Sequence, residues 1–226
     1  MVDTDGNQCR IVVLISGNGS NLQAVIDAVK AGTIPASIVA VVSNRPAAYG
    51  LERARQAAIP VEVLEYPGHP DREAYDRALI QLIDSYRPDL ILLAGFMRIL
   101  SHDFVEHYTG RLLNIHPSLL PRHKGLNTHQ RVIEAGDTQH GATVHFVTPE
   151  LDSGPIIIQG VIETAGINQA ADLAELVHRV EHQIYPQAVQ WFAEQRLALI
   201  DNQVTLDQQP ISTQDKVRYF AMNNSG

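Results

Sequence analysis

The chain has 226 residues, 45% apolar and 19% charged, with a net charge of −8 and a pI near 5.6; that length holds one large domain or two small lobes around a shared core. The acidic balance, relieved only by the short basic cluster Arg122-His123-Lys124, excludes a nucleic-acid groove, which needs Lys and Arg along a whole face. The single cysteine, Cys9, excludes an internal disulfide, and the longest apolar runs, residues 11–15 and 90–94, fall far short of the ~20 residues that span a bilayer.

Residues 1–5 lack the basic and apolar stretches of a signal peptide, which predicts a cytoplasmic protein. Residues 11–15, Ile-Val-Val-Leu-Ile, form a continuous β-branched run suited to a central parallel strand. Leu22, Val25, Ile26 and Val29 then follow helical spacing, and Gly32 ends that helix. Residues 38–42 predict a second strand, 51–58 a short helix, 61–64 a third strand, 71–85 a helix and 90–93 a fourth strand. This alternation predicts an α/β, Rossmann-like parallel sheet in the N-terminal half. The second half differs: 112–115, 142–147 and 156–161 read as strands with few helices between them. Residues 172–192 read as one long helix that tolerates or kinks at Pro186, and 197–204 with a following short strand as a terminal hairpin. From about Ile211 the chain is polar, and a loosely held, dispensable tail is expected.

The first strand runs into Ser16-Gly17-Asn18-Gly19-Ser20-Asn21 and a helix. Glycines let the backbone approach a ligand, and the free N–H groups and dipole of a helix N-terminus attract an anion. The dinucleotide fingerprint fails twice, because Leu22 stands where a third glycine belongs and Ser43-Asn44 where an acid would hold a ribose. The loop is therefore either a site for one phosphate monoester or a tight turn with Ser20 or Asn21 as N-cap.

Asn114-Ile115-His116-Pro117 places an amide and an imidazole on one face at the end of a strand that Pro117 stops. An amide that donates to an oxyanion beside a ring that moves protons suits acyl transfer; for the histidine taken alone, a ring that caps a strand end and bonds a carbonyl is the favoured reading. Asp152, in Leu151-Asp152-Ser153-Gly154-Pro155, is either turn chemistry or a carboxylate that orients His116. His178, Glu181 and His182 match a zinc-peptidase spacing. On the helix, however, both histidines fall opposite the apolar stripe of Leu173, Leu176, Val177, Val180 and Ile184, with Glu181 at its border, and no metal is expected.

Together with Leu-Ala-Gly-Phe-Met-Arg-Ile-Leu at 93–100, Asn-Ile-His-Pro-Ser-Leu-Leu-Pro at 114–121, His-Gly-Ala-Thr-Val-His-Phe-Val at 140–147 and Glu-His-Gln-Ile-Tyr-Pro at 181–186, these motifs make the chain resemble the glycinamide ribonucleotide transformylases over residues 10 to 205. The resemblance implies one formyltransferase domain over 10–205, with a phosphate-binding half (10–100) and a catalytic, folate-binding half (101–205) whose sheet becomes mixed, and a terminal strand and tail at 206–226. It implies transfer of a formyl group from 10-formyltetrahydrofolate to the amine of glycinamide ribonucleotide in purine biosynthesis, without a metal, by a monomer or homodimer acting on small molecules. It carries catalytic roles to Asn114, His116 and Asp152, and substrate contacts to Gly19, Ser20, Asn21 and Glu181. Folate contacts fall on Arg72, Met97, Arg98, Ile99, Leu100, Thr148, Pro149, Glu150, Leu151, Asp152 and Asn114. Asn127 departs from the family, many of whose members have His there. The alternatives are the related formyltetrahydrofolate hydrolase, which usually carries an extra N-terminal domain that the stretch before residue 10 is too short to hold, and a non-catalytic nucleotide-binding module.

Overall fold

The computed structural model describes residues 8–221, so the signal-peptide reading of residues 1–5 and the end of the tail, 222–226, lie outside the described residues. Strands and helices alternate as β1 (Cys9–Ile15), α1 (Ser20–Lys30), β2 (Ala36–Ser43), α2 (Tyr49–Gln56), β3 (Val61–Val63), α3 (Arg72–Ser85) and β4 (Leu90–Leu93). There follow α4 (His102–His107), β5 (Leu112–His116), α5 (Thr128–Ala135), β6 (Gln139–Phe146), β7 (Ile156–Glu163) and the long α6 (Ala170–Ala193). The chain ends with β8 (Leu197–Ile200), β9 (Gln203–Leu206), β10 (Gln209–Pro210), α7 (Thr213–Lys216) and β11 (Val217–Tyr219).

β1 shows why the sheet is central. Side chains alternate across a strand, so Ile11, Val13 and Ile15 pack with α1, α2 and α6 on one face. Val12 and Leu14 pack with Tyr75, Leu79 and Ile83 of α3 and Phe104 of α4 on the other. An eight-stranded sheet, in the order β11-β7-β6-β5-β4-β1-β2-β3, separates these two cores. β3, β2, β1, β4 and β5 run parallel. β6 is antiparallel to both β5 and β7, so the sheet becomes mixed in the second half. The hairpin β8–β9 with β10 forms a separate three-stranded sheet.

The chain leaves β1 for β2 and β3 on one side and returns to β4 on the other. The loops after β1 and β4 therefore diverge at the carboxyl edge, which is where open α/β sheets bind ligands. Leu14 of β1 and Asn114 of β5 both pair with Leu93, the last residue of β4. Ser16 and His116 thus project just beyond the same edge. Tyr185 of α6, fully buried, places its hydroxyl 3.0 Å from the Leu93 carbonyl and 3.3 Å from that of Leu113, tying α6 to these strand ends. α6 continues through Pro186.

The loosely held tail expected from about Ile211 is corrected for residues 211–221. Ile211 is buried, β11 extends the sheet by parallel pairing with β7, and the Phe220 amide donates to the Val161 carbonyl at 2.9 Å. The Phe220 ring packs over Gly160, where a Cβ would come within 2.9 Å of it. Ending the chain at Ile211 is now expected to cost more than about 1 kcal/mol, beyond the ordinary range of a surface change, and to lower Tm by about 2–4 °C or more for a chain of this size. Differential scanning calorimetry of the truncated chain checks this; an unchanged Tm would mean that β11 contributes nothing.

Candidate active site

At the β1 end, Gly19 rather than Ser20 or Asn21 is the N-cap of α1, with a left-handed φ of +73° and no side-chain cap on the first helical N–H groups. The donors of this helix N-terminus are therefore uncapped by side chains. α2 backs the loop closely: Gly50 donates to the Gly17 carbonyl at 3.0 Å, and a Cβ on Gly19 would lie 2.7 Å from the Gly50 Cα. The Arg53 side chain braces the same loop through the Asn18 carbonyl and Oδ1, both at 2.9 Å.

Glu181, placed by helical spacing at the border of the α6 stripe, is buried at 4% exposure and accepts from Asn21 Nδ2 at 2.9 Å. Burial pushes its carboxyl pKa up. Asn21 Oδ1 is buried without a hydrogen-bond partner among the described residues. His178 is exposed, His182 half-buried, and their rings lie parallel with centroids 6.4 Å apart. Among the described residues, the group of side chains close enough to share an ion is the exposed His102, Asp103 and Glu106 on α4, and not this pair.

At the β4 end, Ser16 holds the loop 94–101 against β1. It donates to the Gly95 carbonyl at 3.1 Å, and its Oγ accepts from the Met97 amide at 2.7 Å. The buried Asp76 of α3 accepts from the Ser101 amide at the other end of the loop. Between these anchors Met97 and Ile99 stand exposed and Leu100 is half-buried. Arg98 turns its guanidinium onto the Tyr66 ring, 3.7 Å from the centroid, and toward Tyr75. Arg72 is exposed at the start of α3, beside Glu73. On the loop after β6, Thr148 is half-buried while Pro149, Glu150 and Leu151 are exposed. Leu126 adds a further exposed apolar side chain from the segment before α5.

The structure brings two of the predicted trio, His116 and Asp152, into contact, with Asn114 two residues before His116 on β5. His116 Nδ1 lies 3.5 Å from Asp152 Oδ2, with both side chains under 10% exposed. Asp152 sits on a turn with φ +47°, and its Oδ2 also accepts from the Gly125 amide at 2.9 Å. His116 Nε2 donates to the His123 carbonyl at 3.0 Å, so each ring nitrogen faces an acceptor and a ring proton can be held at either. His123 is itself fixed by Asp137, 2.7 Å from its Nε2. Asn114 Nδ2 meets His145 Nε2 at 3.2 Å across the β5–β6 pair.

Residues 9–189 match the formyl transferase family. The chain belongs to that family. It is 54% identical over 204 residues to the phosphoribosylglycinamide formyltransferase of Escherichia coli K12, covering 90% of this chain and 96% of that one. It is 47% identical over 198 residues to the Haemophilus influenzae enzyme of the same name, covering 88% and 93%. The Coxiella burnetii phosphoribosylglycinamide formyltransferase superimposes with a TM-score of 0.89 at 48% identity, over 95% of this chain and all of that one. A formyltetrahydrofolate deformylase from Pseudomonas putida KT2440 gives 0.80 at 29% identity, over 90% of this chain and 72% of that one. That deformylase is less similar to the chain than the three formyltransferases and is longer than it.

Asn127 takes a left-handed φ of +56° as the N-cap of α5. Asparagine tolerates that conformation better than most residues do. Three contributors to the site were not legible beforehand: Ser16 and Asp76, which anchor the 94–101 loop, and His145, opposite Asn114. Each acts on a residue far away in sequence. The one available signal was the spacing of His145 on an apolar strand, which by itself also fits an ordinary core histidine.

Proposed function

We propose that this formyl transferase moves a formyl group from 10-formyltetrahydrofolate to the amine of glycinamide ribonucleotide, giving formylglycinamide ribonucleotide. The observation that carries it is the buried His116–Asp152 pair, projecting from the same sheet edge as an uncapped helix N-terminus with the glycine loop. On this reading residues 10–100 supply the phosphate contacts at Gly19, Ser20 and Asn21, and residues 101–205 supply the reacting groups. Glu181 takes the substrate side, and the exposed Met97, Ile99 and Leu151 form the apolar rim for the folate. No metal takes part, because the formyl group arrives already activated on N10.

The amine nitrogen attacks the formyl carbon, a C–N bond forms, and the bond to N10 breaks. Asn114 donates to the developing oxyanion, an effect worth ~10²–10³ in rate. The amine gives up a proton and N10 receives one; His116 carries that transfer, worth ~10²–10⁴, with Asp152 holding the ring. Steady-state assays of formyl loss from 10-formyltetrahydrofolate, with and without glycinamide ribonucleotide, test the reading. Loss that requires the ribonucleotide is expected; equal loss without it would identify a hydrolase.

Gly19→Val gives the phosphate side its own test. The side chain would force Gly19 and Gly50 apart at a left-handed position. The KM for the ribonucleotide is expected to rise at least ~10-fold, the loss of one charge-assisted hydrogen bond of about 1.5 kcal/mol, while folate affinity holds. Tight dinucleotide binding, or an unchanged KM, would count against the phosphate assignment.

A further inference from the structure

His145 is buried at 2% exposure and lies directly opposite Asn114 in the antiparallel β5–β6 pair. Side chains of such cross-strand partners stand on one face within contact distance, and here Nε2 meets the Asn114 Nδ2 at 3.2 Å. Its other nitrogen, Nδ1, lies 2.8 Å from the carbonyl oxygen of Phe146. A carbonyl only accepts, so the ring proton is on Nδ1. Burial pushes the pKa of this imidazole down, which keeps it to one ring proton and leaves a bare lone pair on Nε2. An amide turned the other way would set Oδ1 against that lone pair, acceptor to acceptor. The NH2 end of Asn114 must therefore face His145, which leaves one amide hydrogen and Oδ1 for the site.

The device is built into the backbone. The pairing of β6 with β7 shifts register between Val144 and His145. Gly154 packs against the acceptor so closely that a Cβ there would fall 1.7 Å from the Phe146 oxygen and 3.3 Å from His145 Nδ1. The same turn carries Asp152, so the group that orients Asn114 and the group that orients His116 share one support.

We propose that His145 is a positioning residue for formyl transfer: with its ring proton on Nδ1, it accepts from the Asn114 carboxamide and sets which end of that amide meets the formyl oxygen. This rests on the formyl-transfer reading for its consequence, but its structural half can be measured alone. Ring ¹⁵N chemical shifts of His145 in the whole wild-type chain are expected to show a protonated Nδ1 and a bare Nε2 between about pH 6 and 8, the range in which an ordinary histidine titrates. A protonated Nε2 would overturn the proposal whatever the activity. In kinetics, His145→Leu is expected to lower kcat ~10-fold or more, a fraction of what a full oxyanion donor contributes, with both KM values little changed. His145→Gln, which keeps an acceptor near the Nε2 position, should recover most of that loss, and His145→Leu should cost nothing further in an Asn114→Ala background. An unchanged kcat in a folded His145→Leu chain would end the proposal and leave the formyl-transfer reading standing. Absence of formyl transfer in the wild-type chain, with the ring shifts as expected, would instead overturn the reading on which it rests.

Discussion

Replacing His116 by Ala and Asp152 by Asn is expected to lower kcat by at least ~10² each, the low end for lost acid–base help, and the double replacement is expected to cost little more than the worse single one. The reason is the geometry of a shared unit. The carboxylate reaches His116 Nδ1 at 3.5 Å with both side chains under 10% exposed, and it has no other side-chain partner than that ring among the described hydrogen bonds. Once the ring is gone, the carboxylate has nothing to orient; once the carboxylate is neutralised, the ring keeps only the His123 carbonyl. Independent residues would multiply their losses to ~10⁴, whereas members of one unit do not add. The folate and the ribonucleotide should still bind with near-normal affinity, because the loop at 17–21 and the rim at 97–100 are untouched. Presteady-state single-turnover rates for the four proteins decide between the two outcomes.

Gly154→Ala is expected to be among the most damaging single methyl additions at the described glycines. Its Cβ would have to occupy a point 1.7 Å from the Phe146 carbonyl oxygen and 2.9 Å from the carbonyl carbon, and backbone cannot swing aside as a flexible side chain can. Overpacking of this kind costs about 1–3 kcal/mol or more, so Tm should fall by roughly 2–4 °C per kcal/mol. The strain falls on the turn that carries Asp152 and on the acceptor that sets the His145 ring, so kcat should fall well beyond what the remaining folded fraction explains. Gly17→Ala is the matched control for stability alone: nothing lies within 4 Å of its added Cβ. Thermal melts of the two variants, with kcat of Gly154→Ala read against the wild-type chain, check this; equal losses of Tm would mean that the close approach at Gly154 is not what holds the turn.

The N-terminal half was legible because its signals are local. The β-branched run at 11–15, the helical spacing of Leu22, Val25, Ile26 and Val29, and the glycine turn at 17–19 each declare themselves within a few residues. The short helices α4 and α5 were not read, since α4 has only six residues and α5 buries only Thr128 and Val132, which make no apolar stripe. β11 escaped for a related reason: Val217-Arg218-Tyr219 is three residues at a sheet edge, and its strand character comes from β7 beside it, not from its own composition. In the site, Asn114 and His116 lie two apart on β5, a placement that could be read because a strand's period of two is visible in sequence. Glu181 was set at the helix border because the hydrophobic stripe says nothing about a buried partner; Asn21, 160 residues away, is what holds the carboxylate inside. Arg98 stands in the folate motif with its guanidinium over Tyr66 and near Tyr75, a placement that periodicity cannot reveal.

The central claim is that the formyl carbon passes directly to a ribonucleotide amine under the control of His116. It is tested most directly by a single turnover with ¹³C-formyl-labelled 10-formyltetrahydrofolate and glycinamide ribonucleotide, followed by carbon NMR of the products. The expected result is the label in the formamide of the ribonucleotide with the wild-type chain, and the label still on N10 with His116→Ala over the same interval. Label recovered as free formate, or transferred as fast by the His116→Ala chain, would contradict it.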